Sequence, residues 1–341
     1  MDPDDQLKLP YTIIDIIPWN HFGRKSIAFM LAIDYGAEII YDFDDDNHLM
    51  LPKLDDIKNY KRTMINTPSH LYNPYPYFMT TDDKQELIPD TWPRGFPLCK
   101  IHDTDTFTDV TSFSHDDYSK IKVFQSLADN DPDVDAVFRM TGKGHFSFPR
   151  QHEMVIPDQD VFTPWNAQAT FFKKEAFFSL MLPITVHGRV SDIWRSYFAD
   201  KIFWQTDIQM AFVSSFVTQY RNPHDYTIDF KDELPLYRQA NQMLTDLGAL
   251  DIPKSSTVQN AMLKIYKTMA DKGYIKHLDV EVMRRWLHDL ETLGYEFPKI
   301  VRSTNKFKFK GSEIVDQRDL ESISTPNSEV IKKIFSVKVK K

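Results

Sequence analysis

Apolar residues set the first expectations along this chain. Residues 11–17 form a β-branched, apolar run that reads as a strand, and residues 23–36 show helical spacing through Ile27, Met30, Leu31 and Ile33. Residues 37–43 are short and nearly continuously apolar around Ile39, Ile40 and Tyr41, as in a buried parallel strand. That order is a βαβ unit, which implies a right-handed crossover in an α/β sheet. The span 67–97, centred on Tyr72-Asn-Pro-Tyr-Pro-Tyr-Phe78, has no clean period and reads as a long ordered loop. Spacing over 118–129 predicts another helix, and 134–140 another strand.

From Pro164 the texture changes. Residues 171–182 and 191–198 read as short amphipathic helices, with 201–204 and 210–220 largely apolar beyond them. After about Asp229 the pattern is helical only, over 236–247, 256–272 and 279–293. Ser255, Ser256 and Thr257 offer N-caps, and Gly273 and Gly294 stand where helices stop. The expectation is an α/β domain over 10–228, a helical annex over 229–300 and a Lys-rich, flexible tail over 301–341. The tail reads as a solvated end or as a contact for a membrane surface or acidic partner.

Composition narrows the chemistry. Among 341 residues, 41 Lys and Arg against 49 Asp and Glu give a net charge of -8, which argues against a basic nucleic-acid surface. One cysteine, Cys99, excludes an intrachain disulfide framework and a thiolate zinc cluster. Ten glycines leave little for glycine-rich cofactor loops, whereas 20 prolines, 25 Phe, 15 Tyr and 6 Trp suggest rigid loops over an aromatic cleft or core. No apolar stretch reaches the ~20 residues of a bilayer crossing, so the chain reads as soluble as given. Its abrupt entry into an apolar run reads as a truncated product or isoform.

The strongest chemical signal is Asp42-Phe-Asp44-Asp45-Asp46-Asn47, directly after the expected buried strand. Ligands of open α/β sheets bind beyond strand carboxyl ends, and oxygen-rich clusters suit Mg2+ or Mn2+. The competing reading is an acidic turn with capping duties. Two chemistries use such an end. In a nucleotide-sugar glycosyltransferase an Asp-x-Asp pair holds a cation against the donor diphosphate. In an aspartyl phosphatase Asp42 attacks and Asp44 is the acid, but Asp46 stands where that pattern wants Thr or Val. Arg139 is expected to close a strand at the same edge, as a phosphate ligand or a surface cation. Asp192 opens a helix as a cap or as the general base of an inverting transfer. Trp165 and Trp194 read as core residues or as sugar platforms.

Ile17-Pro-Trp-Asn-His-Phe-Gly-Arg24-Lys25, followed by Gly36-Ala-Glu-Ile-Ile-Tyr-Asp-Phe-Asp-Asp-Asp-Asn47, resembles the STELLO-like glycosyltransferase family, first grouped as a domain of unknown function. Asp133-Val-Asp-Ala-Val-Phe-Arg139, Pro164-Trp-Asn-Ala-Gln168 and Leu182-Pro-Ile-Thr-Val-His-Gly-Arg-Val-Ser-Asp-Ile-Trp-Arg195 look like its later blocks. The Asp-Ile-Trp element is also similar to one in UDP-arabinopyranose mutases. The likeness covers about residues 10–220, and the helical remainder resembles nothing identified.

The resemblance implies a GT-A-like, Rossmann-like fold with Asp44 and Asp46 as the metal pair for Mn2+ or Mg2+ and Asp45 within it. The chain is expected to begin one strand late for a complete donor site. On this reading Arg24, Lys25, Arg139 and Asp45 face a UDP- or GDP-sugar, Asp192 is the base, and Trp165, His187 and Trp194 shape the acceptor side. A non-catalytic, glycosyltransferase-like scaffold with protein partners is the second reading and the phosphatase the third. Golgi association is expected if a full-length form carries an anchor.

Overall fold

The computed structural model describes residues 2–50, 54–79, 91–103, 118–142, 147–149 and 151–307. The first elements are α1 (Pro3–Gln6), α2 (Lys25–Asp34), β1 (Ile39–Phe43), β2 (Asn47–Leu49), α3 (Leu54–Ile57), β3 (Lys61–Ile65) and α4 (Tyr75–Met79). The middle of the chain adds β4 (Ile121–Asp129), α5 (Ala136–Thr141), β5 (Glu153–Pro157), β6 (Ala169–Lys173), α6 (Gly188–Phe203) and β7 (Gln209–Gln219). Four helices follow: α7 (Tyr226–Asp232), α8 (Leu234–Ala249), α9 (Val258–Asp271) and α10 (His277–Thr292). The fold is α/β and GT-A-like, built on a mixed seven-stranded sheet in the order β1-β6-β4-β7-β5-β3, with β2 added against β7.

The β4/β7 and β3/β5 pairs are parallel; β1/β6, β4/β6, β5/β7 and β2/β7 are antiparallel. β4 lies near the middle because it is apolar on both faces. Val123 and Leu127 enter the main core, while Ile121 and Phe124 enter a smaller cluster with Tyr60 and Phe216 on the other side. α6 packs beside the sheet and against α8 and α9, and the main core runs on from the sheet into α8, α9 and α10.

Several expectations change. Residues 11–17 are not a strand: Thr12–Asp15 is a 3-10 turn. The Asp289 carboxylate of α10 accepts from Thr12 N, Thr12 Oγ1 and Ile13 N at 2.9, 2.8 and 2.9 Å, taking the backbone donors a sheet needs. The βαβ unit therefore does not form, and β1 is an antiparallel edge strand rather than a buried parallel one. Residues 118–129 form a short turn and β4, not a helix. Residues 134–140 enter α5, not a strand, because the Asp135 side chain caps Phe138 N at 2.8 Å. Residues 171–182 are the end of β6 and a 3-10 turn, not a helix.

The other helical expectations hold. α6 contains 191–198, and α8, α9 and α10 lie where the spacing places them. Thr257 caps α9, and Gly273 and Gly294 take positive φ just beyond α9 and α10. Residues 80–90 of the loop and 308–341 of the tail lie outside the described residues.

Candidate active site

Strand direction assembles the site. β1 and β4 are each antiparallel to β6, and β4 is parallel to β7, so all three carboxyl ends share one edge. β1 leads into Asp44, β4 into the turn carrying Asp133, and β7 into Gln219 and Arg221. The start of β6 adds Gln168, and the first turns of α6 add Arg189 and Asp192. With Phe22, Lys25, Arg94 and His187 these residues line a cleft of about 390 Å3.

Arg94 is the buried centre of that cleft. Its Nε and Nη2 donate to the two Asp133 oxygens at 2.7 and 2.9 Å, and its Nη1 and Nη2 donate to the Asp192 oxygens at 3.0 and 2.9 Å. Burial alone lowers the Arg94 pKa, but the two carboxylates hold it well above its ordinary value. Burial likewise raises Asp133, and Arg94, with smaller contributions from Arg221 and Asn166, more than reverses that. Asn166 Nδ2 donates to Asp133 at 2.7 Å, and Ala167 N to Asp192 at 3.2 Å. Gly95 makes this approach possible. It has φ +84°, and a Cβ there would lie 2.3 Å from Ile193 Cγ2 on α6.

The acidic turn divides by environment. Asp42 is 1% exposed and flanked by Lys25 and, at 3.6 Å, Arg195. Burial pushes its carboxyl up, and the two cations only partly counter this. Asp44 faces the cleft, and while its backbone bonds to Gln168 and Asn47, its carboxylate makes no hydrogen bond or ion pair to a described residue. Desolvation on its protein side, then repulsion from Asp192, Asp133 and Asp42, pushes it up to about 7 against the pull of Lys25. Its outer face is nevertheless solvent-exposed. Water and counter-ions therefore reach it and moderate that crowding, and this accessibility matters most for ligand binding. A polar relay pins the turn. Gln219 Nε2 donates to Asp46 Oδ2 at 3.1 Å, Gln168 Nε2 donates to Gln219 Oε1, and Asn47 Nδ2 donates to the Gln168 carbonyl at 2.8 Å.

The expected site residues separate on this frame. Asp44, Lys25, His187 and Asp192 line the cleft together. Asp46 sits behind the relay, with Oδ1 buried and without a hydrogen-bond partner, and Asp45 is exposed on the turn. Arg24 points elsewhere. It donates to Gln6 Oε1 and the Ile17 carbonyl, both at 2.8 Å, and lies over the Trp19 ring. Arg139 closes no strand; it sits on α5, bonded to Asp131 and the Pro132 carbonyl. Trp165 and Trp194 are core residues, so neither offers a face to a sugar. The aromatic ring in the cleft wall is Phe22, 36% exposed. Asp42 is too buried to act as an exposed nucleophile, which removes the phosphatase reading.

Sequence reasoning missed Arg94, Arg189, Gln219 and Arg221 and assigned Asp133 no role. Two signals were available: a glycine after Arg94 between two prolines, and the sheet-end rule applied to β7 as well as β1.

Among the described residues no three or more His, Cys, Asp or Glu side chains form a metal-holding group of their own. No described helix is long and apolar enough to cross a membrane.

Comparison with known proteins gives one direction. Residues 189–324 match the family model of the STELLO glycosyltransferases, a stretch that holds Arg189, Asp192, Gln219 and Arg221 and extends through the helices after residue 220. The chain is 29% identical over 322 residues to "Probable glycosyltransferase STELLO2" and 28% identical over 322 residues to "Probable glycosyltransferase STELLO1", both of Arabidopsis thaliana. These matches cover 87% of this chain and 40% and 39% of the relatives, so the chain spans about two-fifths of their length. By the family match in its second half and by likeness over most of its length, the chain is similar to the STELLO glycosyltransferases.

Proposed function

We propose that the cleft binds a nucleotide-sugar with a divalent cation and transfers the sugar to an acceptor hydroxyl. The observation that carries this reading is Asp44, an uncommitted carboxylate at the shared carboxyl ends of β1, β4 and β7, facing a cleft of about 390 Å3. The donor set fits a hard cation. Asp44 is unpaired among the described residues, the Asp46 Oδ1 is buried without a partner, and both offer only oxygen. Asp44 and Asp46 would hold Mn2+ or Mg2+, with remaining oxygens from the ligand and water. When bound, such a cation neutralises the charge of the donor diphosphate.

The chain's own residues do the rest. Phe22 and Leu182 supply an apolar wall for the flat face of a sugar or base. Arg94 fixes Asp133 and Asp192 on one side. In transfer, the acceptor oxygen bonds to the anomeric carbon, the carbon–oxygen bond to phosphate breaks, and the diphosphate leaves with the electron pair. The hydroxyl proton passes to a base in the cleft.

The test is calorimetry with UDP- and GDP-sugars, with and without Mn2+ or Mg2+. Asp44→Asn should weaken cation-dependent binding by about tenfold or more, the scale of a lost interaction with a charged group. Unchanged binding in that variant would sink the reading. A second reading, sugar-nucleotide binding without transfer, draws on Asp192. Arg94 engages both of its oxygens and Ala167 N a further lone pair, which leaves less room for an acceptor hydroxyl to reach them. A single-turnover transfer assay on a donor that binds separates the two.

A further inference from the structure

Four cationic side chains line the cleft: Lys25, Arg94, Arg189 and Arg221. Protein carboxylates neutralise three of them. Lys25 pairs with Asp42, Arg94 with Asp133 and Asp192, and Arg189 with Asp229 at 2.6 Å and Glu233 at 2.9 Å. Arg221 makes no hydrogen bond or ion pair to a described residue, and its Nε is buried without a partner. Asp133 and Asp131 attract it, but Arg94 and Asn166 already hold the Asp133 oxygens and Arg139 holds Asp131, and Arg139 and Arg189 repel it. Burying an uncompensated guanidinium costs stability. The fold nevertheless places one at the end of β7, two residues beyond the Gln219 that holds Asp46.

We propose that Arg221 is the anion receptor of this cleft and takes the phosphate oxygens of a nucleoside diphosphate. The inference rests on reading the cleft as a nucleotide-sugar site and adds the residue that recognises the phosphate. A guanidinium presents a planar fork of donors that matches phosphate bidentately. Arg221 has its full set available where the other two cleft arginines have spent theirs on protein. The cleft thus carries one unpaired carboxylate, Asp44, and one unpaired guanidinium, Arg221, among the described residues. That pairing suits a ligand which brings both a cation and an anion.

The experiment is calorimetry on the full chain with Mn2+ present, using UDP, GDP, uridine, inorganic pyrophosphate and glucuronate as probes. Wild type, Arg221→Gln, Arg221→Lys and Asp44→Asn are compared, together with the Tm of each without ligand. UDP and pyrophosphate should bind Arg221→Gln about 10- to 100-fold more weakly, with partial recovery in Arg221→Lys. The ligand-free Tm of Arg221→Gln should be unchanged or higher, because no protein partner is lost. Equal UDP affinity in wild type and Arg221→Gln, with affinity lost in Asp44→Asn, overturns the role of Arg221 and leaves the reading of the cleft standing. A ligand-free Tm lowered by both Arg221 variants makes Arg221 structural and overturns the proposal. Glucuronate binding without pyrophosphate binding overturns the phosphate assignment. Wild type that binds neither UDP, GDP nor pyrophosphate removes the reading of the cleft and the proposal with it.

Discussion

Arg94 and Arg221 line one cleft, yet their surroundings assign them opposite duties. Arg94 is 8% exposed and lies between two carboxylates, each buried to a similar degree, so its charge is part of the fold. Removing it leaves Asp133 and Asp192 buried without their cation, and breaking a buried pair from one side costs about 3–5 kcal/mol. Arg94→Met is therefore expected to lower the urea unfolding free energy by about that amount, with Arg94→Lys falling between. Urea denaturation of both variants beside wild type and Arg221→Gln checks the contrast. A loss under about 1 kcal/mol in Arg94→Met would mean that solvent reaches the two carboxylates. At this scale the sequence was readable where residues were adjacent. Asp44 and Asp46 stand in one short turn, and a run of acids after an apolar strand is visible without a fold. Arg94, Asp133, Asp192 and Arg221 are dispersed over more than a hundred positions, and only the sheet edge brings them together. The two tryptophans stayed open between core and sugar platform because size and aromaticity do not say which way a ring faces. The ring that reaches the cleft is Phe22, just ahead of α2, beside the close approach of Gly188.

Elements were legible in proportion to how one-sided their burial is. α8, α9 and α10 each bury one stripe, Leu236, Ala240, Met243, Leu244 and Leu247 in α8 for example, so a 3.6-residue period survives in the sequence. β4 buries both faces and carries no alternation, and a run such as Ile121 to Ala128 fits a strand or a helix equally well by spacing. The amino-terminal segment failed for another reason. Its β-branched run suits a strand, but a carboxylate almost 280 positions away claims its backbone donors. Asp289 is thus the anchor that turns residues 12–15 into a 3-10 turn and docks them on α10. Asp289→Ala leaves the Thr12 and Ile13 amides without that partner, at about 1–3 kcal/mol for each buried group left unmet. Amide hydrogen exchange is expected to accelerate at residues 12–17 more than in β4 or β7. Equal protection there would show that packing of Ile13, Ile14 and Ile17, not the carboxylate, holds the segment.

For the whole molecule, the seam between α6 and the helices beyond β7 carries its own ionisation signature. Lys201 is fully buried near the end of α6. Its Nζ donates to the Gly248 carbonyl of α8 at 3.3 Å and lies 5.6 and 5.7 Å from the Trp204 and Phe307 ring centres. No described carboxylate pairs with it; Asp160 and Asp251 attract it only at longer range. Burial outweighs them and lowers its pKa from 10.5 to about 8. Between about pH 8 and 10.5 the unfolded chain therefore binds more protons at this site than the folded one. Stability contributed by this group rises with pH through that window, and below pH 8 its cost is present in full, about 3 kcal/mol. The buried tyrosines act the other way. Tyr197 and Tyr266 are held well above their ordinary value by burial, so above about pH 10 they make unfolding more favourable as pH climbs. Seven more tyrosines, Tyr11, Tyr41, Tyr60, Tyr75, Tyr237, Tyr274 and Tyr295, are also raised, so the Lys201 contribution is read from the difference between wild type and a variant without it. Lys201→Met keeps the apolar stem and removes the proton site. Its absolute stability at pH 7 balances relief of a buried charge against loss of one of the two donors to the Gly248 carbonyl, the other being Phe307 N at 3.4 Å, so the slope is the informative quantity. Unfolding free energies measured at pH 7, 8, 9 and 9.5 should shift in favour of wild type over Lys201→Met as pH rises, because the other titrating groups act equally in both and cancel in the difference. The same slope in both proteins would place the titrating group elsewhere and leave Lys201 protonated in the seam.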